Sequence, residues 1–295
     1  MRVLLTSDGS NEAASALRAA SRLLKRTDLE AHVLYVAPQL RAPKSTNITR
    51  REHQHKLAAE TRRVLEEAKR VLCEEGIDAL TLCETGSAAK VIMQESEDYD
   101  LTVLGAKGRE IRANVGLGPV ASRLVEHATG CVLIGRDPPQ DRQPRILVPL
   151  DGSDGSEKAL DALTSFFDLE SAEITLLHVL ETLWLPLADP DETRAEVTPE
   201  SEEGDQVGLE LRREAEQLLT QAQVSILPQH PGVTTSIREG VPANEILAEA
   251  DQGEYDLVVV GATGATDMKH SVLGSVSSKV AWNAPCSVLV VRLPE

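Results

Sequence analysis

Arg2-Val-Leu-Leu-Thr-Ser-Asp-Gly-Ser10 returns as Arg145-Ile-Leu-Val-Pro-Leu-Asp-Gly-Ser153, 143 residues further along the chain. The same offset carries His32-Val-Leu-Tyr-Val36 onto Thr175-Leu-Leu-His-Val179. A third pair, Tyr99-Asp-Leu-Thr-Val-Leu-Gly105 and Tyr255-Asp-Leu-Val-Val-Val-Gly261, lies 156 apart. A chain that writes its apolar runs and their turns twice is built from two copies of one unit. The second copy gains its 13 extra residues mainly between Val179 and Tyr255. Asp137-Pro-Pro-Gln-Asp-Arg-Gln-Pro144 is proline-rich and polar, as a short stiff connection should be. The chain therefore divides into residues 1–137, a linker 138–144, and residues 145–295.

Within each copy, short apolar runs alternate with helical patterns. In the second copy the strand candidates are Ile146–Leu150, Ile174–Val179, a weaker Thr234–Arg238, Leu257–Val260 and Val288–Val291. They are rich in Val, Ile and Leu and mostly continuous, which suits strands buried on both faces. Ala159, Leu160, Leu163 and Phe167 sit at helical spacing, as do Leu211, Ala215, Leu218 and Ala222, and in the first copy Leu57, Leu65, Ala68 and Leu72. Strand–helix alternation implies an α/β fold, with two five-stranded parallel sheets covered by helices on both faces. Ligands of open α/β sheets bind at the carboxyl ends of strands, where strand order reverses. The loops after the first and fourth strands are the places to look for chemistry.

After the fourth strand of the second copy stands Gly261-x2-Gly264-x9-Gly274-Ser275. Glycine lets backbone approach a ligand closely. Gly274 and Ser275 open a helix, whose unpaired N–H groups and partial positive charge attract anions. Ser275 adds a hydroxyl, with an ordinary helix N-cap as its plainer role. Spaced glycines alone also serve turn geometry. No GxxxxGK[ST] motif occurs, so no lysine is poised on a β/γ-phosphate in that way.

The glycine spacing, together with Val148-Pro-Leu-Asp-Gly-Ser153 and the tail Lys279-Val-Ala-Trp-Asn-Ala-Pro-Cys-Ser-Val-Leu-Val-Val-Arg292, resembles the universal stress protein family. The resemblance covers essentially the whole chain as two tandem domains. It implies a doubly wound, Rossmann-like sheet of order 3-2-1-4-5 in each domain. In the ATP-binding branch of the family it also implies bound ATP, alone or with magnesium. On the second domain that branch's pattern maps without gaps. Pro149 and Asp151 would flank the adenosine. The Asp151 carboxylate would accept hydrogen bonds from ribose or adenine, or else cap the following helix. Val179 would offer backbone groups to the adenine edge, or simply pack. Val260, Gly261 and Gly264 would lie along the ribose and phosphates, and Gly274, Ser275 and Val276 would donate to the terminal phosphates.

The first domain departs from this pattern. Its loop runs Gly105-Ala-Lys-Gly108 and then, after nine residues, Gly118-Pro119. Proline brings neither hydroxyl nor N–H, so two phosphate donors vanish, although it starts a helix well. Thr6 replaces Pro149, while Asp8 and Val36 are kept. Asp8, Val36, Gly105, Gly108 and Gly118 thus outline a weaker site, into whose loop Lys107, Arg109 and Arg112 bring positive charge.

Charge narrows the function classes. Residues 1–141 carry 20 Lys/Arg and 20 Asp/Glu, and residues 142–295 carry 10 and 27, so the whole net charge of −17 sits in the second half. Such a surface repels nucleic acid. No run approaches the roughly 18 apolar residues that span a bilayer. The apolar run Val3–Leu5 is cut short by Asp8, unlike a signal peptide, so a cytoplasmic location is the expectation. Cys73, Cys83, Cys131 and Cys286 show no metal-ligand spacing and read as reduced, mostly buried thiols.

Pro38–His53 is basic through Arg41, Lys44, Arg50 and Arg51, with Glu52 its one acid. Glu181–Gly204 is acidic, with Arg194 its only base and Trp184 between Leu183 and Leu185. These segments are two solvated loops, or they face each other across a pseudo-twofold, or the acidic one docks a partner.

The leading function is an ATP-binding regulatory protein of the stress-response type. The alternatives are a slow ATPase or autokinase, for which Asp151, Asp267 and His270 are the nearest groups, and an assembly scaffold. No catalytic or metal site is assigned. Leu150-Asp-Gly-Ser-Asp-Gly-Ser156 resembles an adenylating-enzyme loop in composition only. Family members commonly dimerise through their last strands. Here Val132–Ile134 and Val288–Val291 could pair within one chain, giving an intramolecular pseudo-dimer, with association of two chains a further option.

Overall fold

Runs such as Val3–Leu5 and Val258–Val260 are fully or almost fully buried, and a helix follows each of them in sequence. The computed structural model describes residues 1–39, 50–109, 116–136, 142–170, 172–181, 202–226, 230, 232–264 and 273–292. The first half contains β1 (Arg2–Thr6), α1 (Asn11–Leu23), β2 (Glu30–Ala37), α2 (Arg50–Glu74), β3 (Ala79–Thr85), α3 (Ala88–Glu95), β4 (Leu101–Gly105), α4 (Pro119–His127) and β5 (Cys131–Gly135). The second repeats the series as β6 (Arg145–Pro149), α5 (Asp154–Phe166), β7 (Glu173–Glu181), α6 (Glu202–Ile226), β8 (Val233–Gly240), α7 (Pro242–Gln252), β9 (Leu257–Gly261), α8 (Ser275–Asn283) and β10 (Ser287–Val291).

The strands form one ten-stranded sheet, β3-β2-β1-β4-β5-β10-β9-β6-β7-β8. The two five-stranded sheets expected are thus joined into one, through the pairing of the last strands that the sequence allowed. An unpaired last strand presents a row of bare N–H and C=O groups. Here β5 and β10 satisfy each other's, in antiparallel register with Val132 opposite Val290, Leu133 opposite Leu289 and Ile134 opposite Val288. The other strand pairs in the sheet are parallel. Every residue of β5 and β10 is buried, which explains their unbroken apolar sequence. The outer strands β3 and β8 expose much of their length, which is why Thr234–Arg238 reads weakly as a strand.

Both cores run across the seam. On one face Leu5, Leu17 and Leu133 share a cluster with Val148, Leu163 and Leu289; on the other, Leu4, Leu124 and Val132 join Leu147, Val258 and Val280. Backbone clasps reinforce the junction. Leu24 bridges to Phe167, Lys25 N donates to Phe166 O (2.9 Å) and Asp168 N to Leu23 O (2.8 Å). Two arginines act reciprocally. Arg136, just after β5, donates to Ala281 O (3.2 Å) in the last turn of α8 and to Cys286 O (2.9 Å) just before β10. Arg292, just after β10, donates to Val125 O (2.6 Å) and Glu126 O (3.3 Å) in α4. Each guanidinium thus meets carbonyls at a helix C-terminus, where cations are favoured.

Three smaller expectations change. Cys73 and Cys83 are exposed, because α2 and β3 lie at the outer edge of the sheet; Cys131 and Cys286 are buried, and burial raises their thiols to about 11 and about 12. Phe167 lies beyond α5 as its C-cap, although it is fully buried. Leu211 is exposed, since it lies on the side of α6 away from the core.

Candidate functional site

The strand order reverses between β1 and β4, and again between β6 and β9. In the second half the crevice between β6 and β9 is walled by the turn after β6 and the loop after β9. Leu150 N continues the β6–β7 pairing by donating to Leu177 O (2.8 Å), and His178 Nδ1 donates to Leu150 O (2.7 Å). Gly152, at φ +77, reverses the chain. Asp151 Oδ1 accepts from Ser153 N (3.0 Å) and Ser153 Oγ (2.5 Å). Ser153, the N-cap of α5, accepts in turn from Ser156 N (3.3 Å). Asp151 therefore braces the turn that carries the cap rather than capping the helix itself.

Across the crevice, β9 ends at Gly261. The Gly155 carbonyl lies so close that any Cβ on Gly261 would collide with it, and a Cβ on Gly155 would strike Thr263 O. The first turn of α5 thus packs on the β9 loop glycine to glycine. A Cβ on Gly264 would stand 2.8 Å from Asp151 Oδ2, so this glycine brings the loop against the carboxylate. The nine-residue insert is pinched at its base, where Gly274 N donates to Ala262 O (2.7 Å). Ser277 Oγ donates to Gly261 O (2.6 Å) and fixes α8 to the end of β9. Gly274 is the N-cap of α8 (φ −66, ψ 153). Ser275 is therefore the first helical residue and not the cap, and its N–H with those of Val276 and Ser277 has no partner within the helix.

Pro149, Asp151, Val179, Val260, Gly261, Gly264, Gly274, Ser275 and Val276 thus lie at the ends of β6, β7 and β9 and the start of α8. Val179 is half-buried opposite Arg238 of β8, and Val260 is buried in the core. Asp267 and His270, the alternative catalytic groups, lie outside the described residues. So do the basic segment 40–49 with Arg41 and Lys44, Arg112, linker residues 137–141, and the acidic segment 182–201 with Trp184. Among the described residues no group of three His, Cys, Asp or Glu converges to hold a metal, and no helix is long and apolar enough to cross a membrane.

The first half repeats this frame around Asp8, Val36, Gly105, Gly108 and Gly118. Gly118 N donates to Ala106 O (2.7 Å), Gly118 is the N-cap of α4, and Pro119 is its first residue. Here the crevice also contains a feature that the motifs do not show. Asp8 Oδ1 accepts from Ser10 N (2.9 Å) and Asp8 Oδ2 from Arg109 N (3.0 Å). The Arg109 side chain then crosses the β1–α1 turn, where its guanidinium occupies the space a Cβ on Gly9 would need. It ends on α2, with Nη1 2.6 Å from Glu60 Oε1. Arg63 binds the same carboxylate (3.0 Å). Hydrogen bonds from Arg63 and Arg109 hold the Glu60 carboxyl down at about 2. Burial raises the Tyr35 phenol nearby.

Comparison with known proteins fits this doubled frame. The model of the universal stress protein family matches residues 1–136 and again 144–292. The chain belongs to the universal stress protein family. A universal stress protein of Bacillus subtilis is 34% identical over 157 residues, covering 50% of this chain and 98% of its own. One of Mycolicibacterium smegmatis is 27% identical over 241 residues, covering 78% of this chain and 76% of its own. Among solved structures, a universal stress protein of Archaeoglobus fulgidus aligns with a TM-score of 0.64 at 21% identity, over 99% of this chain and 98% of that one. That last likeness speaks for the fold across both halves. As a tandem universal stress protein, the chain carries two copies of this frame, which differ in their helix starts, Pro119 against Ser275.

Proposed function

We propose that this universal stress protein is an ATP-binding regulatory protein that holds nucleotide in its second half and uses it as a signal or switch. One observation carries the reading. The two halves set matching glycines, Gly118 and Gly274, at the same point by the same hydrogen bond to the loop base, yet serine follows in one and proline in the other. Only the second half therefore offers a hydroxyl and a full set of first-turn N–H groups to an anion. The residues around the β6/β9 crevice fit the ligand. Asp151 lies where a carboxylate would meet ribose or adenine, Gly264 keeps the loop free of side chain beside it, and Ser275 and Val276 would take the terminal phosphates. Magnesium would then be carried by the phosphates, since the described residues bring no carboxylate cluster to the site.

The same placement favours binding over turnover. Asp151 Oδ1 is committed to Ser153, which argues against that carboxylate as a base for water. The scaffold role is met within the chain, because β5 and β10 occupy each other's edges. Titration of ATP into wild type and Gly274→Val tests the proposal. Gly274 has a φ of −66, so valine introduces bulk without backbone strain. Wild type should bind at micromolar concentration and Gly274→Val should lose binding by more than tenfold while melting within a few degrees of wild type. Unchanged affinity in Gly274→Val would remove the reading.

A further inference from the structure

The two crevices differ in one more respect, and it bears on the regulation of the nucleotide sites just proposed, a reading on which it rests. In the first half a guanidinium lies across the crevice. Arg109 leaves the β4 loop directly after Gly108, ties its own N–H to Asp8 Oδ2, passes over Gly9, and closes on Glu60 in the middle of α2. Its path joins the three elements that wall the site: the β1–α1 turn, the β4 loop and α2. Arg63, one turn further along α2, donates to Glu60 through Nε (3.1 Å) and Nη2 (3.0 Å), and so holds the carboxylate in place for Arg109. Val64 packs against Gly9 from the same helix, which seats α2 directly on the turn.

Among its described residues the second half lacks this arrangement. Leu218 approaches Gly152 as Val64 approaches Gly9, which sets α6 in register with α2. In that register Glu214 takes the place of Glu60, and Gln217 that of Arg63. Ala265 follows Gly264 where Arg109 follows Gly108, so no arginine is available to make the crossing. Glu214 is exposed.

We propose that Arg109, held by Glu60, is a built-in occupant that shuts the first-half crevice, so that each chain takes a single nucleotide, in the second half. The guanidinium lies over the Asp8-Gly9 turn, where a nucleoside seated on Asp8 would have to lie. Loss of the serine donor at Pro119 weakens phosphate binding; the arginine acts separately, at the sugar and base end. Restoring the donor alone therefore leaves the crevice closed, and release of Arg109 is needed as well.

Titration calorimetry of ATP into full-length chains separates these effects. Pro119→Ser should bind the same number of nucleotides as wild type. Pro119→Ser with Arg109→Ala should bind one more, and so should Pro119→Ser with Glu60→Gln, which keeps the arginine but removes its charged anchor. The second double variant decides the matter if the first does not fold. A second nucleotide in Pro119→Ser alone, or no gain in either double variant, would overturn the proposal. A wild type that binds no ATP would count against the nucleotide reading of the second half, whereas the step between single and double variants still decides the role of Arg109.

Discussion

At Gly261 and Gly155 two backbones meet with no side chain between them. A methyl group on either would press on a carbonyl of the other segment, and backbone yields less readily than a flexible side chain. Overpacking of this kind costs about 1–3 kcal/mol. Gly261→Ala should therefore lower the urea midpoint clearly, whereas Gly264→Ala, which meets only the Asp151 carboxylate, should leave stability nearly intact and weaken nucleotide binding instead. Equal midpoints for wild type and Gly261→Ala would contradict this assignment.

Glu60 gives a second prediction at this scale. Its carboxyl falls from the ordinary 4.5 to about 2, first through Arg63 and then through Arg109. A depressed acid contributes stability that is complete above its unfolded value, about 4.3, and fades as pH drops through its folded value. The Arg109–Glu60–Arg63 contact should thus persist unchanged from neutral pH to about pH 5 and loosen only between about pH 4 and pH 2. Carboxyl NMR of Glu60 reads this directly, and a midpoint above pH 4 would contradict it. Glu60 is about one-third exposed, so its hold is geometric more than energetic.

Among the elements, β5 and β10 decide the architecture. Leu133 and Leu289 are fully buried where the strands pair, and the clusters above and below draw on both halves. Unfolding one half would strip apolar cover from the other, so the two should melt together. Trp282 reports on the seam, because its ring lies against Gly116 of the first half. In a Trp184→Phe background, Trp282 fluorescence and far-ultraviolet circular dichroism should give one coincident transition. Leu289→Ala should shift both together, by about 2–5 kcal/mol. Separate transitions would mean that the halves are independent domains.

The seam was legible in the sequence as two short apolar runs able to pair, Val132–Ile134 and Val288–Val291, and the alternation of elements was legible in the doubled motifs. Which of the two options those runs take, pairing within one chain or between chains, was not, since apolar strands announce burial but not their partner. Likewise the packing of Gly155 against Gly261, more than a hundred residues away in sequence, was not legible, since spaced glycines do not announce which backbone approaches them. Arg109 was visible as a charge in a loop. Its anchor was not, because the rotation of α2 that presents Glu60 is fixed by packing, with Val64 and Leu72 turned to the core.

For the molecule as a whole, the acidic charge and the intact helix start reside in the same half, while the near-neutral half carries the proline and the crossing arginine. On the proposed reading, two copies of one unit have diverged into a binding half and a closed half, joined by a common sheet whose outermost strands are β3 and β8. On that reading, anything that senses nucleotide on this protein meets one liganded face per chain. The most direct test counts ATP bound per wild-type chain at saturation, by calorimetry or native mass spectrometry. The account predicts one, abolished by Gly274→Val; none, or two of similar affinity, would contradict it.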